Sequence, residues 1–434
     1  MAKIHPSLRV LMFPWLGHGH ISPYLELAKK LFAKNFMVYL CSTPANLTSV
    51  RSKLSEEEEF NESIKLVELE FESLPELPPN YHTTNGLPPH LMPTLKEAFD
   101  CSVPEFLDIL TDLNPELLIY DILQPWSAVA ASVSGIPAVE FITGSVAMTA
   151  LGYHSLVSPP GTEFPFESIF FRDYESALRE KLFVHDKDSQ SFTQCIECSK
   201  KMILVKSIAE VEGKYIDYFS SLTGKKVIPV GHLVQEPNFN DYVDKDCESW
   251  IFLTRKKRVQ PSLFLLGVST FCVTKICWKS LMGNETSLEE VLPKDFLIRV
   301  GDRGKVVNGW APQAKILTHP NTGGFASHCG WNSVLEGMKF GLPIIAMPMH
   351  LDQPVNARLI EEHGVGIEVL RDSSGNLQRE TIANVIDKVV KGIDGEKVRE
   401  KAKEMSKKIQ NKGEEEIDNV VEELVQLCFE KDYY

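Results

Sequence analysis

Between Gly323 and Gln353, two apolar runs of strand type each empty into a cluster of polar side chains, with one short helical stretch between them. Gly323-Gly324-Phe325-Ala326-Ser327 leads into His328-Cys329-Gly330-Trp331-Asn332-Ser333, after which Val334, Leu335 and Met338 recur at helical spacing. Gly341-Leu342-Pro343 stops that helix, because glycine favours the left-handed turn after a helix and proline cannot continue one. Pro343 to Pro348 is a second apolar run and ends at His350, Asp352 and Gln353. Strands that are apolar on both faces belong to buried parallel sheets, so the stretch predicts a βαβ unit. Ligands of such sheets bind beyond the carboxyl ends of the strands, where both polar clusters fall.

The first cluster has the chemistry of an anion site. Asn332 and Ser333 lie at a predicted helix start, where backbone N–H groups lack intrahelical partners and the dipole is positive. Gly330 allows backbone to approach an anion closely. His328 can donate to phosphate oxygens. A purely structural reading stays open beside this one, since Ser333-x-x-Glu336 is also the pattern of a capping box.

The rest of the chain reads as two α/β halves. Leu8–Phe13 is a strand, Pro14 to His20 a loop, Ser22 to Phe32 a helix and Phe36–Cys41 a strand. Gly17-x-Gly19 invites a dinucleotide reading, but Ser22 stands where the third glycine belongs. The second strand also ends in Cys41-Ser42-Thr43 without an acidic residue for a ribose, so a nicotinamide site is disfavoured. Further strands are predicted at Leu117–Tyr120, ending at Asp121, at Ala138–Ile142 and at Val227–Val230, with helices near Leu91–Phe99 and over Trp126–Ser134. Polar, acidic Gln235–Asp246 reads as a linker. Beyond it, strands are expected near Lys305–Val307, Gly324–Ser327, Pro343–Met347 and Val365–Val369. Helices are expected over Glu380–Val390, Gly395–Lys412 and Glu414–Leu427, the last with Ile417, Val420, Val421, Leu424 and Val425 on one side.

Composition excludes several classes. A chain of 434 residues implies two domains. A net charge of −14 disfavours nucleic acid and anionic membrane surfaces as partners. The nine cysteines form no paired framework, which suits a reduced cytoplasmic compartment. Cys195-x-x-Cys198 has no second pair at zinc-finger spacing. No segment carries the roughly 18 apolar residues of a membrane span, and the N-terminus lacks a signal-peptide pattern. Asp244-x-Asp246 resembles a metal-binding pair, but it sits in the polar linker with no strand before it, so no metal is expected.

The stretch from Trp310 to Gln353, with its W-x-x-Q start, H-C-G-W-N-S-x-x-E centre and D-Q end, resembles the signature box of plant secondary-product UDP-glycosyltransferases of family 1. The similarity extends over roughly residues 8–250 and 286–428, and is greatest to the branch that adds a sugar to a sugar already on a plant glycoside. It implies an α/β fold of GT-B type, with two Rossmann-like domains facing across a cleft. The implied division is an acceptor-binding domain over 1–234, a linker over 235–250, a UDP-sugar domain over 251–412 and a C-terminal helix over 413–434 that packs back on the first domain. The co-substrate implied is a UDP-sugar, UDP-glucose first, and the product a β-glycoside formed with inversion. The acceptor would be a flavonoid, terpenoid, lignan or similar small molecule, and the enzyme a monomer.

Residue roles carry over from the resemblance. His20, in Gly19-His20-Ile21-Ser22-Pro23, matches the family's general base in G-H-x-x-P, and Asp121 its orienting carboxylate. An imidazole so held can take the proton of an acceptor hydroxyl as the bond to the sugar forms. His18, two residues away, is the competing base. Trp310 would stack on uracil, Gln313 contact the ribose or base edge, and Glu336 hold ribose hydroxyls. His328, Asn332 and Ser333 would bind phosphates, and Trp331, Asp352 and Gln353 sugar hydroxyls. A terminal glutamine, as at Gln353, goes with a glucose preference.

One stretch departs from the family pattern. Residues 251–285 lack a clear helix and the expected Val-rich strand ending in F-G-S. Leu266-Gly267-Val268-Ser269-Thr270-Phe271 is what suitable codons for the family's F-G-S-E-Y-F spell when read one nucleotide late, which points to a frameshift or a mis-spliced gene. The expectation that follows is a C-terminal domain short of its first strand and helix. A rival function follows as well, an inactive protein that binds a nucleotide sugar without turnover.

Overall fold

The structure, a computed structural model, describes residues 7–55, 60, 63–72, 74–175, 177, 180, 187–237, 262–265, 294–301, 313–410 and 412–429. It divides into two compact units. One comprises Met1–Phe164, Leu182–Leu233 and Lys412–Tyr434, the other Pro165–Lys181 and Val234–Asn411.

The first unit contains β1 (Leu8–Phe13), α1 (His18–Ala33), β2 (Phe36–Ser42), α2 (Pro44–Ser55), β3 (Ile64–Glu68), α3 (Met92–Asp100), α4 (Val103–Leu113), β4 (Leu117–Tyr120), α5 (Pro125–Val133), β5 (Ala138–Ile142), α6 (Val146–Val157), α7 (Lys187–Cys198), β6 (Met202–Val205), α8 (Ala209–Thr223) and β7 (Lys226–Pro229). Its seven strands form one parallel sheet in the order β3-β2-β1-β4-β5-β6-β7. The strand order reverses between β1 and β4, so their carboxyl ends open a crevice there, the usual ligand position in such sheets. The central strands β4, β5 and β6 are buried at every residue, as their apolar sequences require when helices cover both faces. One core joins Leu27, Tyr24 and Phe141 to Ile417, Val420 and Leu424 of the final helix, Gly413–Phe429. The other gathers Phe13, Phe99 and Phe106, with the Phe13 and Phe106 rings stacked at 4.5 Å. Burying each such side chain contributes about 1.5–3 kcal/mol.

Of the second unit, β8 (Ser262–Leu265), α9 (Phe296–Val300), α10 (Gln313–Leu317), β9 (Thr322–Ser327), α11 (Trp331–Lys339), β10 (Ile344–Ala346), α12 (Gln353–Glu362), β11 (Gly366–Glu368), α13 (Arg379–Val390) and α14 (Ile393–Gln410) are described. Among the described residues the sheet is parallel, in the order β11-β10-β9-β8. Gly337 lets α11 lie close on this sheet, since a Cβ there would meet Ile344 Cδ1 at 2.8 Å.

Several expectations need correction. His20 is not in a loop, because α1 begins two residues before it with Gly17 as N-cap. Within the atypical 251–285 stretch, Ser262–Leu265 is a strand after all and pairs in parallel with β9. Its Leu-Phe-Leu sequence is the short apolar run that a parallel strand favours. The proposed strand at 305–307, Trp310, and the remainder of 251–285 lie outside the described residues, as do Asp244 and Asp246. A division at 234 also misassigns Pro165–Lys181, which belongs to the second unit. Buried ion pairs hold it there. Arg358 on α12 donates two hydrogen bonds to Glu175, at 2.9 and 2.7 Å, and pairs with Glu368, while Arg172 donates to Glu368 at 2.9 Å. Phe170 lies under both guanidinium groups, at 5.1 and 5.4 Å.

In the first unit, fully buried Glu212 accepts hydrogen bonds from Val146 N–H (3.1 Å), Ala147 N–H (2.8 Å) and Ser207 Oγ (2.7 Å), closing the first turn of α6. Burial pushes its carboxyl from the ordinary 4.5 up to about 7. The unfolded chain therefore loses this proton first, and stability falls as pH rises from about 4.5 to about 7, by up to roughly 3 kcal/mol. Glu212→Gln keeps an acceptor without the titration. Its melting temperature relative to the parent should rise between pH 5 and pH 8, and a difference flat across that range would place the titration elsewhere.

Candidate active site

Three side chains converge at the switch point of the first sheet. His20 sits in the first turn of α1, just after β1, while Asp121 and Thr143 follow β4 and β5 directly. His20 Nδ1 lies 3.0 Å from Asp121 Oδ2, 3.1 Å from Oδ1 and 3.1 Å from Thr143 Oγ1. Asp121 is fully buried and also accepts the N–H groups of Trp15 (3.2 Å) and Ile122 (2.8 Å), so its carboxylate cannot swing away. This arrangement fixes the proton on Nδ1 and leaves Nε2 as the basic nitrogen. His20 stays partly exposed, with 29% of its side chain accessible. Beneath it, Glu140 is fully buried and its oxygens have no partner among the described residues. Burial, then the charge of Asp121, pushes the Glu140 carboxyl well above the usual range. Asp121 is thus the carboxylate facing the imidazole. His18 is held neutral, its pKa lowered to about 4 by burial and then by Lys53.

In the second unit, β9 and β10 are neighbours in register, Ser327 opposite Ala346, so the two polar clusters emerge side by side. Gly330 is the N-cap of α11, and Trp331, Asn332 and Ser333 form its first turn. Ser333 is therefore inside the helix, and the capping box that its spacing to Glu336 suggested does not form. Glu336 instead accepts a hydrogen bond from Gln313 Nε2, which also reaches Ser333 Oγ at 3.4 Å. Asn332 and Glu336, four residues apart, share a half-buried helix face, whereas Trp331 and Ser333 are buried. A Cβ at Gly330 would lie 2.8 Å from His328 Nε2, so only glycine lets that imidazole lie against the helix start. Burial, then His350, lowers the His328 pKa to about 4, so its imidazole is neutral at pH 7.

The second cluster is tightly bound to itself. Gln353 is buried, and its Oε1 accepts the N–H groups of Met349 (2.9 Å) and His350 (3.0 Å). Its Nε2 lies 3.2 Å from His350 Nδ1. Gln353 thus shapes the loop with its oxygen, and its amide nitrogen also engages His350. Each loop holds one non-glycine residue in the left-handed region, Cys329 at φ 69° and Leu351 at φ 55°. Such strain is typical of functional sites.

Two family models cover most of the chain. "Glycosyltransferase, N-terminal domain" matches residues 6–235, and "UDP-glucoronosyl and UDP-glucosyl transferase" matches residues 295–421. UDP-glucosyltransferase 29 of Panax ginseng is 46% identical, over 98% of this chain and 98% of its own. The chain belongs to this family. It is a plant family 1 UDP-glycosyltransferase, an enzyme that transfers a sugar from a UDP-sugar. The beta-D-glucosyl crocetin beta-1,6-glucosyltransferase of Gardenia jasminoides is 44% identical, over 96% of this chain and 99% of its own. In fold, the glycosyltransferase resembles Glycyrrhiza uralensis UGT73P12, with a TM-score of 0.81 at 22% identity, covering 97% of this chain and 96% of that one. Its two α/β units are of GT-B type.

The structure brings His20 together with Asp121, and Gln313 with Ser333 and Glu336. It sets His328, Trp331, Asn332, Asp352 and Gln353 at the carboxyl edge of the second sheet. Thr143 escaped the sequence reading, although its place immediately after a predicted strand matched that of Asp121. Among the described residues no cluster of His, Cys, Asp or Glu is placed to hold a metal, and no helix is long and apolar enough to cross a membrane. Cys195 and Cys198 end α7, at the negative pole of its dipole, and burial raises both thiols, which opposes redox work.

Proposed function

We propose that this glycosyltransferase moves glucose from UDP-glucose to a hydroxyl of a plant small molecule that already carries a sugar, with inversion and without a metal. His20 Nε2 takes the hydroxyl proton as the hydroxyl oxygen attacks the sugar carbon and UDP departs. Asp121 holds the imidazole and stabilises its developing charge. The observation that carries this reading is His20 Nδ1 lying 3.0 Å from buried Asp121 at the switch point of the first sheet. His328, Asn332 and Ser333 bind the diphosphate, where the first turn of α11 supplies N–H groups and positive potential in place of a cation. Gln313 and Glu336, already joined, hold the ribose. Trp310 stacks on uracil by family resemblance, and Trp331, Asp352 and Gln353 meet the sugar. The first unit would serve the acceptor and the second the donor, and the enzyme would act in the cytoplasm as a monomer.

A sugar-bearing acceptor is supported by the Gardenia relative, whose name describes transfer to a glucosylated molecule. The test is to incubate the full chain with UDP-glucose and paired plant glycosides and aglycones, following UDP release and the mass of one added hexose. Turnover is expected on glycosides in preference to their aglycones. Exclusive use of aglycones would overturn the acceptor assignment. UDP binding without turnover on any acceptor would instead favour the inactive nucleotide-sugar binder.

A further inference from the structure

We infer that Asn356 is a positioning residue that joins the two donor loops, setting the diphosphate turn and the sugar-facing Asp352 in one geometry. The inference rests on the proposed roles of the α11 start and Asp352. Asn356 lies on α12, four residues after Asp352 and so on the same helix face, and is fully buried. Its Nδ2 donates both of its hydrogens, one to the Cys329 carbonyl at 2.9 Å and one to Asp352 Oδ2 at 2.8 Å.

The first of these bonds acts on a strained residue. Cys329 is left-handed at φ 69°, with its N–H donated to Ser327 Oγ at 3.0 Å. That conformation turns the chain from β9 into Gly330, the N-cap of α11. Ser327 holds one side of the Cys329 peptide geometry and Asn356 the other. The second bond fixes the rotamer of Asp352, which precedes Gln353 at the start of α12.

A primary amide provides two hydrogens on one planar nitrogen without burying a charge. The amide cannot be flipped, since Oδ1 would then face a carbonyl and a carboxylate. In the observed orientation Oδ1 is buried without a partner among the described residues. A buried acceptor left unpaired costs about 1–3 kcal/mol. A residue chosen for stability alone would avoid that cost, whereas one chosen to hold two acceptors must accept it.

The experiment measures binding of UDP and UDP-glucose to the full chain by calorimetry, with melting temperature recorded in parallel, for Asn356→Ala, Asn356→Asp and Asp352→Ala. Asn356→Asp keeps the shape but sets a carboxylate against both acceptors, so it separates lost positioning from lost packing. Both Asn356 variants should bind UDP about tenfold or more weakly and bind UDP-glucose no better than UDP. Asp352→Ala should retain UDP affinity and lose only the added affinity for the glucose. Asn356 variants that melt earlier yet keep both affinities would show a structural role alone and overturn the inference. Weakened UDP-glucose binding with parental UDP affinity would overturn the link to the diphosphate turn. If Asp352→Ala binds UDP-glucose normally, the sugar assignment of Asp352 fails, and the joint positioning inferred for Asn356 fails with it. An Asn356 variant that still loses UDP affinity in that case would leave the diphosphate assignment standing.

Discussion

Replacing His20 with alanine is expected to lower turnover by about 10²-fold or more, while UDP affinity stays at its parental value. General-base catalysis of this kind contributes about 10²–10⁴-fold. An acceptor hydroxyl near neutral pH holds its proton firmly, and without a base it attacks the sugar carbon poorly. The residues proposed to bind UDP lie in the other unit, on α10, on α11 and at the start of α12, so UDP affinity should not depend on His20. His18 is the natural substitute, but burial and then Lys53 lower its pKa to about 4, which makes it a weak base. Asp121→Asn should also be slow. Its amide nitrogen would face Nδ1–H or one of the two backbone N–H groups that Asp121 now satisfies. The measurement is kcat with UDP-glucose and an accepted glycoside, alongside calorimetric UDP affinity. Parental turnover in His20→Ala would remove His20 from the mechanism.

The second large effect concerns stability. Arg358→Met should destabilise the second unit by about 3–5 kcal/mol, because it strands Glu175 and weakens the hold on Glu368 in a dry site. Arg358 and Glu368 are each 1% exposed in their side chains and Glu175 7%, so water cannot take over the lost bonds. Total margins of about 5–15 kcal/mol make this a substantial share. Pro165–Lys181 should loosen first, since its Glu175 and Arg172 are anchored by buried Arg358 and Glu368. Replacing Glu175 and Glu368 with glutamine in the Arg358→Met background should recover part of the loss, since the two stranded carboxylates are gone while Arg172 keeps Glu361 at 3.6 Å. Chemical denaturation with proteolysis across 165–181 checks both points. A loss below about 1 kcal/mol would mean that the network behaves as a solvent-screened surface cluster.

Composition and periodicity were enough to foresee two α/β units and most of their strands, because a strand buried on both faces has to be written as an unbroken apolar run. Leu117–Tyr120 and Ala138–Ile142 were legible to the residue for that reason. The short strand Ser262–Leu265 was not, since it lies in a stretch that departs from the family pattern and its pairing with β9 is not a local property. Helix starts were less legible than strands. Whether His20 lies before or within α1, and whether Ser333 caps α11 or lies inside it, turned on a shift of three or four residues that spacing alone does not resolve.

The sequence by itself determined which chemistries were available: a histidine in G-H-x-x-P, an aspartate at a strand end, and a polar box rich in amide, hydroxyl and carboxylate groups. It also determined the family, through the box and through similarity along nearly the whole chain. Tertiary structure alone decided which of these groups meet. His20 and Asp121 are brought together because β1 and β4 are adjacent in the sheet, and strand order follows from packing the whole chain. The same holds for Asn356 beneath Cys329, for Glu175 beside Arg358 and for Thr143 beside His20. Each of these contacts joins residues far apart in the chain, where local propensity carries no information and only burial and hydrogen-bond satisfaction in the folded state select the partner.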